Sequence, residues 1–138
     1  MRIGSTLENQ DIEKRIAITP EIAKKYKSLD LEVCLPENYG YHIGIKDNDY
    51  LDIGVKILKD ENEIITSSDI IVQLGLPNEK KYSLIKENQT LIGVLSPHNN
   101  KEKINELIKK KINVFSLELL PRITRAQSMY ILSSQANL

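Results

Sequence analysis

Ser68-Asp69-Ile70-Ile71-Val72-Gln73-Leu74-Gly75-Leu76-Pro77 is the stretch that decides the fold of this chain. Its residues 70–74 are apolar except for Gln73 and begin with β-branched side chains, a pattern typical of a strand buried on both faces of a parallel sheet. Gly75 and Pro77 follow at the carboxyl end, and open parallel sheets bind their ligands just outside the carboxyl ends of the strands. The stretch therefore predicts a central strand with a ligand site beside it.

Apolar runs and helical patterns alternate on either side of that strand. Strands are predicted at residues 1–5, 31–35, 55–58, 90–95 and 114–117, and helices at residues 20–28, 47–52, 60–65, 79–85 and 100–111. Thr19 is the expected N-cap of the first helix, because Pro20 then takes the first helical position, where its missing N–H costs nothing. This alternation with short connections predicts a single α/β domain, a parallel sheet with helices on both faces. Right-handed crossovers would bring loops 73–77, 96–100 and 118–122 to one edge.

The composition is that of a small domain with balanced charge. Lys plus Arg and Asp plus Glu both number 19, so the formal net charge is +0, and no basic stripe stands out that would bind a nucleic acid. Cys34, the single cysteine, lies in an apolar run, which predicts a buried thiol and favours a reducing, cytosolic setting. No apolar run approaches the roughly 18 residues that a membrane span needs, so we expect a soluble chain.

The common catalytic and nucleotide-binding motifs are missing from the sequence. Without GxGxxG or GxxxxGK[ST], the domain is not expected to hold a dinucleotide in the usual way. Without GxSxG or a paired-histidine spacing, neither a catalytic residue nor a metal ligand is predicted. Arg15 and Arg122 lie at loop positions, where each fork could bind a carboxylate, phosphate or amide, or form a surface ion pair. His42 and His98 also lie in predicted loops, where a histidine is most often simply solvated.

Residues 121–138, at the end of the chain, have an unusual composition. Two arginines, two glutamines, an asparagine and several hydroxyl residues are mixed with apolar positions such as Ile123, Ala126 and Met129. Ser, Thr and Asn compete for backbone hydrogen bonds and are normally kept to helix caps and turns, so the mixture indicates a binding site. An amphipathic helix capped by Thr124 is the alternative interpretation.

The same terminal stretch resembles a known family. Leu119-Leu120-Pro121-Arg122-Ile123-Thr124-Arg125-Ala126-Gln127-Ser128-Met129, followed by Ile131-Leu132-Ser133-Ser134-Gln135-Ala136-Asn137-Leu138, is similar to the segment that ends the first subdomain of proton-translocating NAD(P) transhydrogenase alpha subunits. The opening resembles that family and the related alanine dehydrogenases, with Arg2-Ile3-Gly4, a polar loop and Arg15-Ile16-Ala17-Ile18-Thr19-Pro20. The similarity covers essentially all 138 residues, and the run 121–128 is specific to the transhydrogenases.

The resemblance implies a fold and a set of site residues. The N-terminal domain of that family, here residues 1–138, is flavodoxin-like or Rossmann-like, and it precedes an NAD(H)-binding Rossmann subdomain that these residues do not include. Arg122, Gln127 and Ser133 match polar groups that meet the nicotinamide, its carboxamide and the nearby ribose. Arg15 matches the arginine that binds the pyruvate carboxylate in alanine dehydrogenases, and Tyr130 stands where the transhydrogenases have an aspartate.

The resemblance also implies an activity and a set of partners. The complete protein would transfer hydride from NADH to NADP and couple this to proton translocation, with NAD(H) on the alpha subunit and NADP(H) on a partner subunit. Its partners would be its own Rossmann subdomain, a second alpha subunit, the beta subunit and the membrane domain. It would be cytoplasmic and peripheral to the inner face of the cell membrane, and the 138 residues alone would be inactive.

Two other functions remain open at this point. One is an alanine-dehydrogenase-like amino-acid oxidoreductase, but Gly75 and Ser96 stand where alanine dehydrogenases have their catalytic lysine and histidine, which argues against it. The other is a non-catalytic, free-standing domain that binds a small ligand or a partner subunit through the edge that carries Arg122.

Overall fold

The computed structural model of the chain describes residues 1–96 and 98–117. Its strands are β1 (Arg2–Gly4), β2 (Glu32–Pro36), β3 (Lys56–Leu58), β4 (Ile70–Gln73), β5 (Thr90–Gly93) and β6 (Asn113–Ser116). Its helices are α1 (Pro20–Ser28), α2 (Asp47–Leu51), α3 (Glu61–Ser67), α4 (Glu79–Tyr82) and α5 (Lys101–Lys109), and a 3-10 turn spans Tyr41–Ile43. The predicted alternation is confirmed, although α4 and α5 are shorter than their predicted ranges.

The described strands form a six-stranded sheet in the order β3-β2-β1-β4-β5-β6. Every neighbouring pair is parallel, with Ile3 of β1 opposite Val33 of β2 on one side and Ile70 of β4 on the other. The chain starts in the middle of the sheet, moves outward to β3, crosses back to β4 and then moves outward to β6. This is the order of the doubly wound Rossmann-type sheet, so the predicted parallel α/β architecture is confirmed.

The helices form where local sequence and packing agree. In α1 the Thr19 hydroxyl accepts the Ile22 N–H at 3.3 Å and Pro20 takes the first helical turn, as predicted. In α5 Ile104 and Leu107 are buried, whereas Ile108, which helical spacing places on the same face, is 55% exposed. The face of α5 that packs on the sheet is centred between Ile104 and Leu107, and Ile108 lies at the margin of that face. Within the described ranges, no helix combines the length and apolar character of a membrane span.

Two apolar clusters cover opposite faces of the sheet. Successive strand residues point to opposite faces, and in β4 Ile71 belongs to one cluster while Val72 belongs to the other. Helices α1 and α2 contribute to the Val72 cluster and α4 and α5 to the Ile71 cluster, so helices lie on both faces as predicted. Cys34 is fully buried in β2 and carries a free thiol, also as predicted.

The chain changes direction across the sheet between β1 and β4. From β1 the chain continues towards β2 and β3, whereas from β4 it continues towards β5 and β6. The loops that follow these two strands therefore diverge, and a crevice at the carboxyl ends of β1 and β4 is the usual ligand position in such sheets. Residues 5–19 follow β1 and residues 74–78 follow β4.

Candidate functional site

Glu8 lies in the loop after β1 and reaches across to the end of β4. Its Oε2 atom accepts hydrogen bonds from Gln73 Nε2 at 2.7 Å and from the Leu74 N–H at 3.0 Å. Its Oε1 atom accepts the Gly75 N–H at 3.1 Å. The carboxylate thus occupies the crevice between the two strands and takes up the backbone donors at the carboxyl end of β4.

Gln73 joins Glu8 to the end of β1. Its Oε1 atom accepts from the Thr6 N–H at 2.7 Å, the Thr6 hydroxyl at 3.1 Å and the Ser5 hydroxyl at 3.3 Å. Its Nε2 group donates to the Thr6 carbonyl at 3.2 Å as well as to Glu8. A buried amide is tolerated in a strand when its donors and acceptors are satisfied, and the side chain of Gln73 meets that condition.

Tyr39 belongs to the same network and joins the start of the loop to its end. Its hydroxyl accepts the Ala17 N–H at 3.1 Å and the Ile18 N–H at 3.2 Å, and it shares a 2.9 Å hydrogen bond with the Ser5 hydroxyl. The Tyr50 hydroxyl donates to the Ile18 carbonyl at 2.8 Å. Two buried tyrosines therefore hold the end of the loop on the sheet through backbone groups.

Lys81 and Glu61 hold the start of the loop at Leu7. Lys81 Nζ donates to the Leu7 carbonyl at 2.9 Å, and Glu61 Oε2 accepts the Leu7 N–H at 2.7 Å. The two side chains lie 3.4 Å apart and form an ion pair. An open cavity of about 370 Å³ adjoins them, lined by Glu61, Asn62, Asn78, Lys80, Lys81 and Leu84.

Burial shifts the pKa of two groups of this network, Glu8 and Tyr39. It raises the pKa of the Glu8 carboxyl, and the Leu74 and Gly75 N–H groups, then the charge of Lys81, act in the opposite direction. Burial also raises the pKa of the Tyr39 hydroxyl, which stays protonated at neutral pH. Tyr39 can therefore donate to Ser5 while it accepts from the two backbone N–H groups.

This network is built to hold structure in place. Most of its hydrogen bonds join side chains to backbone groups of strand ends and loops. No group of His, Cys, Asp and Glu side chains suited to a metal ion occurs within residues 1–96 and 98–117. The described residues at the carboxyl edge of the sheet therefore hold the loops after β1 and β4 in place.

Of the predicted site residues, Arg15 is the one whose position is described. It is exposed, and its guanidinium binds Glu13 in the same loop, with Nη2 to Oε1 at 2.7 Å and Nε to both carboxylate oxygens at 3.2 Å. This hydrogen bonding to Arg15 lowers the pKa of Glu13. Arg122, Gln127, Ser133 and Tyr130 lie outside the described residues.

The two loop histidines and the two positions that differ from alanine dehydrogenases are also among the described residues. His42 is exposed, with Nε2 at 2.8 Å from the Lys14 carbonyl oxygen and Nδ1 at 3.3 Å from Gln10 Nε2. His98 is also exposed. Gly75 presents its N–H to Glu8, and the Ser96 carbonyl lies 3.4 Å from Asn100 Nδ2.

The importance of Glu8 was not evident in the sequence. The run from Thr6 to Lys14 is polar enough to predict a loop without buried residues, but that expectation is wrong at its start. Thr6 is 1% exposed, and Glu8 is partly buried. The available signal was Gln73, because a polar residue in an otherwise apolar buried strand requires polar partners from elsewhere in the chain.

Comparison with known proteins identifies similar chains. A family model described as the alanine dehydrogenase/PNT N-terminal domain matches residues 5–138. An NAD(P) transhydrogenase subunit alpha protein of Rickettsia prowazekii is 37% identical over 142 residues, which cover 100% of this chain and 37% of that protein. The protein of the same name from Rhodospirillum rubrum is 34% identical over 143 residues, again covering 100% and 37%.

A solved structure gives the same result for the fold. The transhydrogenase of Sinorhizobium meliloti superposes with a TM-score of 0.86 at 31% identity, covering 99% of this chain and 41% of that one. The chain therefore spans about two fifths of the length of these three relatives.

Proposed function

The chain belongs to the alanine dehydrogenase/PNT N-terminal domain family, and from that membership we propose that it is the N-terminal domain of an NAD(P) transhydrogenase alpha subunit. The observation that carries the proposal is the match to the Rickettsia prowazekii subunit alpha protein, which extends over 100% of this chain at 37% identity. Its role is to supply one wall of the NAD(H) site, at the nicotinamide end.

The proposed wall consists of Arg122, Gln127 and Ser133. These residues follow β6, whose carboxyl end lies at the same edge of the parallel sheet as Gln73 of β4, which supports a site there. NAD(H) supplies the hydride chemistry, so the protein needs only to orient the nicotinamide and exclude water. Guanidinium, amide and hydroxyl groups suit that task because they can hydrogen-bond the carboxamide and ribose.

The described crevice does not fit the phosphates of a dinucleotide. The chain has no glycine-rich turn after β1, and Glu8 already occupies the donors at the end of β4. This supports a shared site in which a following Rossmann subdomain binds most of the NAD(H). We also propose that the complete protein transfers hydride to NADP on a partner subunit and couples this to proton translocation. It pairs with a second alpha subunit and lies at the inner membrane face.

The geometry does not favour the alternative amino-acid oxidoreductase. That reaction would require reactive side chains at the strand ends, whereas Gly75 contributes only a backbone N–H that Glu8 takes up. The Arg15 guanidinium, the expected carboxylate ligand, is bound to Glu13.

Arg122→Ala and Gln127→Ala in the complete alpha subunit, assembled with its partners, test the assigned role. We expect Arg122→Ala to weaken NADH binding or slow hydride transfer about 10- to 100-fold, because a hydrogen bond from a charged group contributes about 1.5–3 kcal/mol. We expect Gln127→Ala to have a smaller effect, about 2- to 10-fold, because a hydrogen bond between neutral groups contributes about 0.5–1.5 kcal/mol. NADH affinity is measured by titration, and hydride transfer by reduction of an NADP analogue. Lys24→Ala, on the exposed side of α1, is the control and should match the wild type. Unchanged affinity and rate in both variants would refute the role.

A further inference from the structure

We infer that the Glu8 carboxylate occupies the place where a doubly wound sheet ordinarily binds a nucleotide phosphate, between the carboxyl ends of β1 and β4. The domain can then contact a dinucleotide at its nicotinamide end but not at its phosphates. The restriction to the nicotinamide end rests on the proposed function. The filling of an anion site by Glu8 rests on contacts within the described residues alone.

The position of the carboxylate is the first step. In doubly wound sheets the phosphates of a nucleotide lie where the strand order reverses, which here is between β1 and β4. Glu8 extends from the loop after β1 to the first residues after β4. It therefore lies in the crevice where the fold ordinarily receives a phosphate.

The donors around Glu8 form the second step. The N–H groups of the consecutive residues Leu74 and Gly75 converge on its two oxygens, and Gln73 Nε2 adds a third donor at 2.7 Å. Consecutive backbone N–H groups that converge in this way make an anion-binding concavity. Lys81, bonded to the neighbouring Leu7 carbonyl, adds positive charge, and Glu61 beside it carries the opposing negative charge.

The space around Gly75 is the third step. Among the described residues, a Cβ atom built on Gly75 would have one neighbour within 4 Å, the Glu8 Oε1 atom at 3.8 Å. The described residues therefore leave the space beside Gly75 largely open, and the Glu8 carboxylate is the group that occupies the N–H donors there. Removal of that side chain would leave a space lined by N–H donors, and an anion should enter it.

Glu8→Ala in the full chain, with acetate as the probe, tests the inference. Alanine keeps the Cβ atom, so the methyl and carboxylate groups of acetate can replace the missing atoms of glutamate. We expect Glu8→Ala to melt below the wild type and acetate to raise its melting temperature saturably by about 3 °C, the shift that a weak ligand bound only to the folded state gives. Acetamide, which has the same shape without the charge, should have no such effect.

The controls distinguish this site from general effects of salt. The wild type and Glu37→Ala, which removes an exposed carboxylate, should not respond to acetate, and Glu8→Gln should not respond because its side chain still fills the space. If Glu8→Ala does not fold on its own, the yield of folded protein on refolding should increase with acetate and not with acetamide.

Two results would overturn the inference. One is an equal response of Glu8→Ala to acetate and acetamide, and the other is no response to either. Neither result would bear on Arg122 and Gln127, whose role is tested by NADH affinity and hydride transfer, so failure here and failure of the proposed function are distinguishable.

Discussion

At the scale of single residues, buried polar contacts hold the loop after β1 in one position. The Tyr39 hydroxyl can donate once and accept twice, and its three partners are the Ser5 hydroxyl and the N–H groups of Ala17 and Ile18. Ser5 in turn donates to Gln73, which binds Glu8. The loop that carries Arg15 is therefore anchored on both sides of that arginine.

Tyr39→Phe tests this anchoring. The substitution keeps the ring and leaves two buried backbone N–H groups without an acceptor, and an unsatisfied buried donor costs about 1–3 kcal/mol. We expect the free energy of unfolding, measured by urea denaturation, to fall by about that amount. Tyr41→Phe is the matched control because Tyr41 is 71% exposed. If the two variants are equally stable, the hydroxyl of Tyr39 does not hold the loop.

At the scale of the elements, the β4–β5 pair explains why a glycine occupies the end of a central strand. Gly93 lies opposite Gln73 in the parallel pair. A Cβ atom on Gly93 would lie 2.2 Å from the Gln73 carbonyl oxygen, a distance that forces backbone to move. Because Gln73 also positions Glu8, the close approach of the two strands contributes directly to the geometry of the crevice.

Gly93→Ala should therefore be strongly destabilising. We expect a loss of about 3 kcal/mol or more, in the range of substitutions that overpack a core and shift the backbone. Gly75→Ala is the matched control, because the nearest atom of the described residues to its Cβ would be at 3.8 Å. The stability of this variant should lie within about 1 kcal/mol of the wild type. Thermal unfolding followed by circular dichroism measures both. A stable Gly93→Ala would contradict the described pairing of β4 and β5.

At the scale of the whole molecule, one sheet connects two apolar clusters. Leu35 of β2 is fully buried in the cluster under α1, and Leu91 of β5 is fully buried in the cluster under α5. Adjacent residues of β4 belong to the two clusters, so unfolding of one cluster would also disrupt the strand that supports the other. We therefore expect a single cooperative unit, as small domains below about 150 residues usually are.

Leu35→Ala and Leu91→Ala test whether the domain unfolds as a single cooperative unit. Each should lower the free energy of unfolding by about 2–5 kcal/mol, the cost of a cavity left by a buried leucine. In each variant the far-UV circular dichroism and the tyrosine fluorescence should change at the same urea concentration, with an unchanged denaturant dependence. Leu29→Ala, at a side chain that is 68% exposed, should have little effect. Separate transitions from the two probes would show two independent units.

Sequence alone determined the order and type of the elements and the family resemblance. Strands and helices were predictable because their apolar periodicity is local, as in residues 70–74, and because caps such as Thr19 act over a few residues. The proposal for Arg122, Gln127 and Ser133 likewise comes from a run of neighbouring residues, and it stays a prediction.

Only the tertiary structure decided the strand order, the occupation of the crevice by Glu8 and the partner of Arg15. Glu8 and Gln73 are 65 positions apart in the chain, and no local pattern brings them together. Their contact exists because parallel pairing places the ends of β1 and β4 side by side, where a buried amide and a carboxylate must satisfy each other and the backbone. Arg15 is close to Glu13 in the chain, but which of its possible partners it binds is set by the path of the anchored loop.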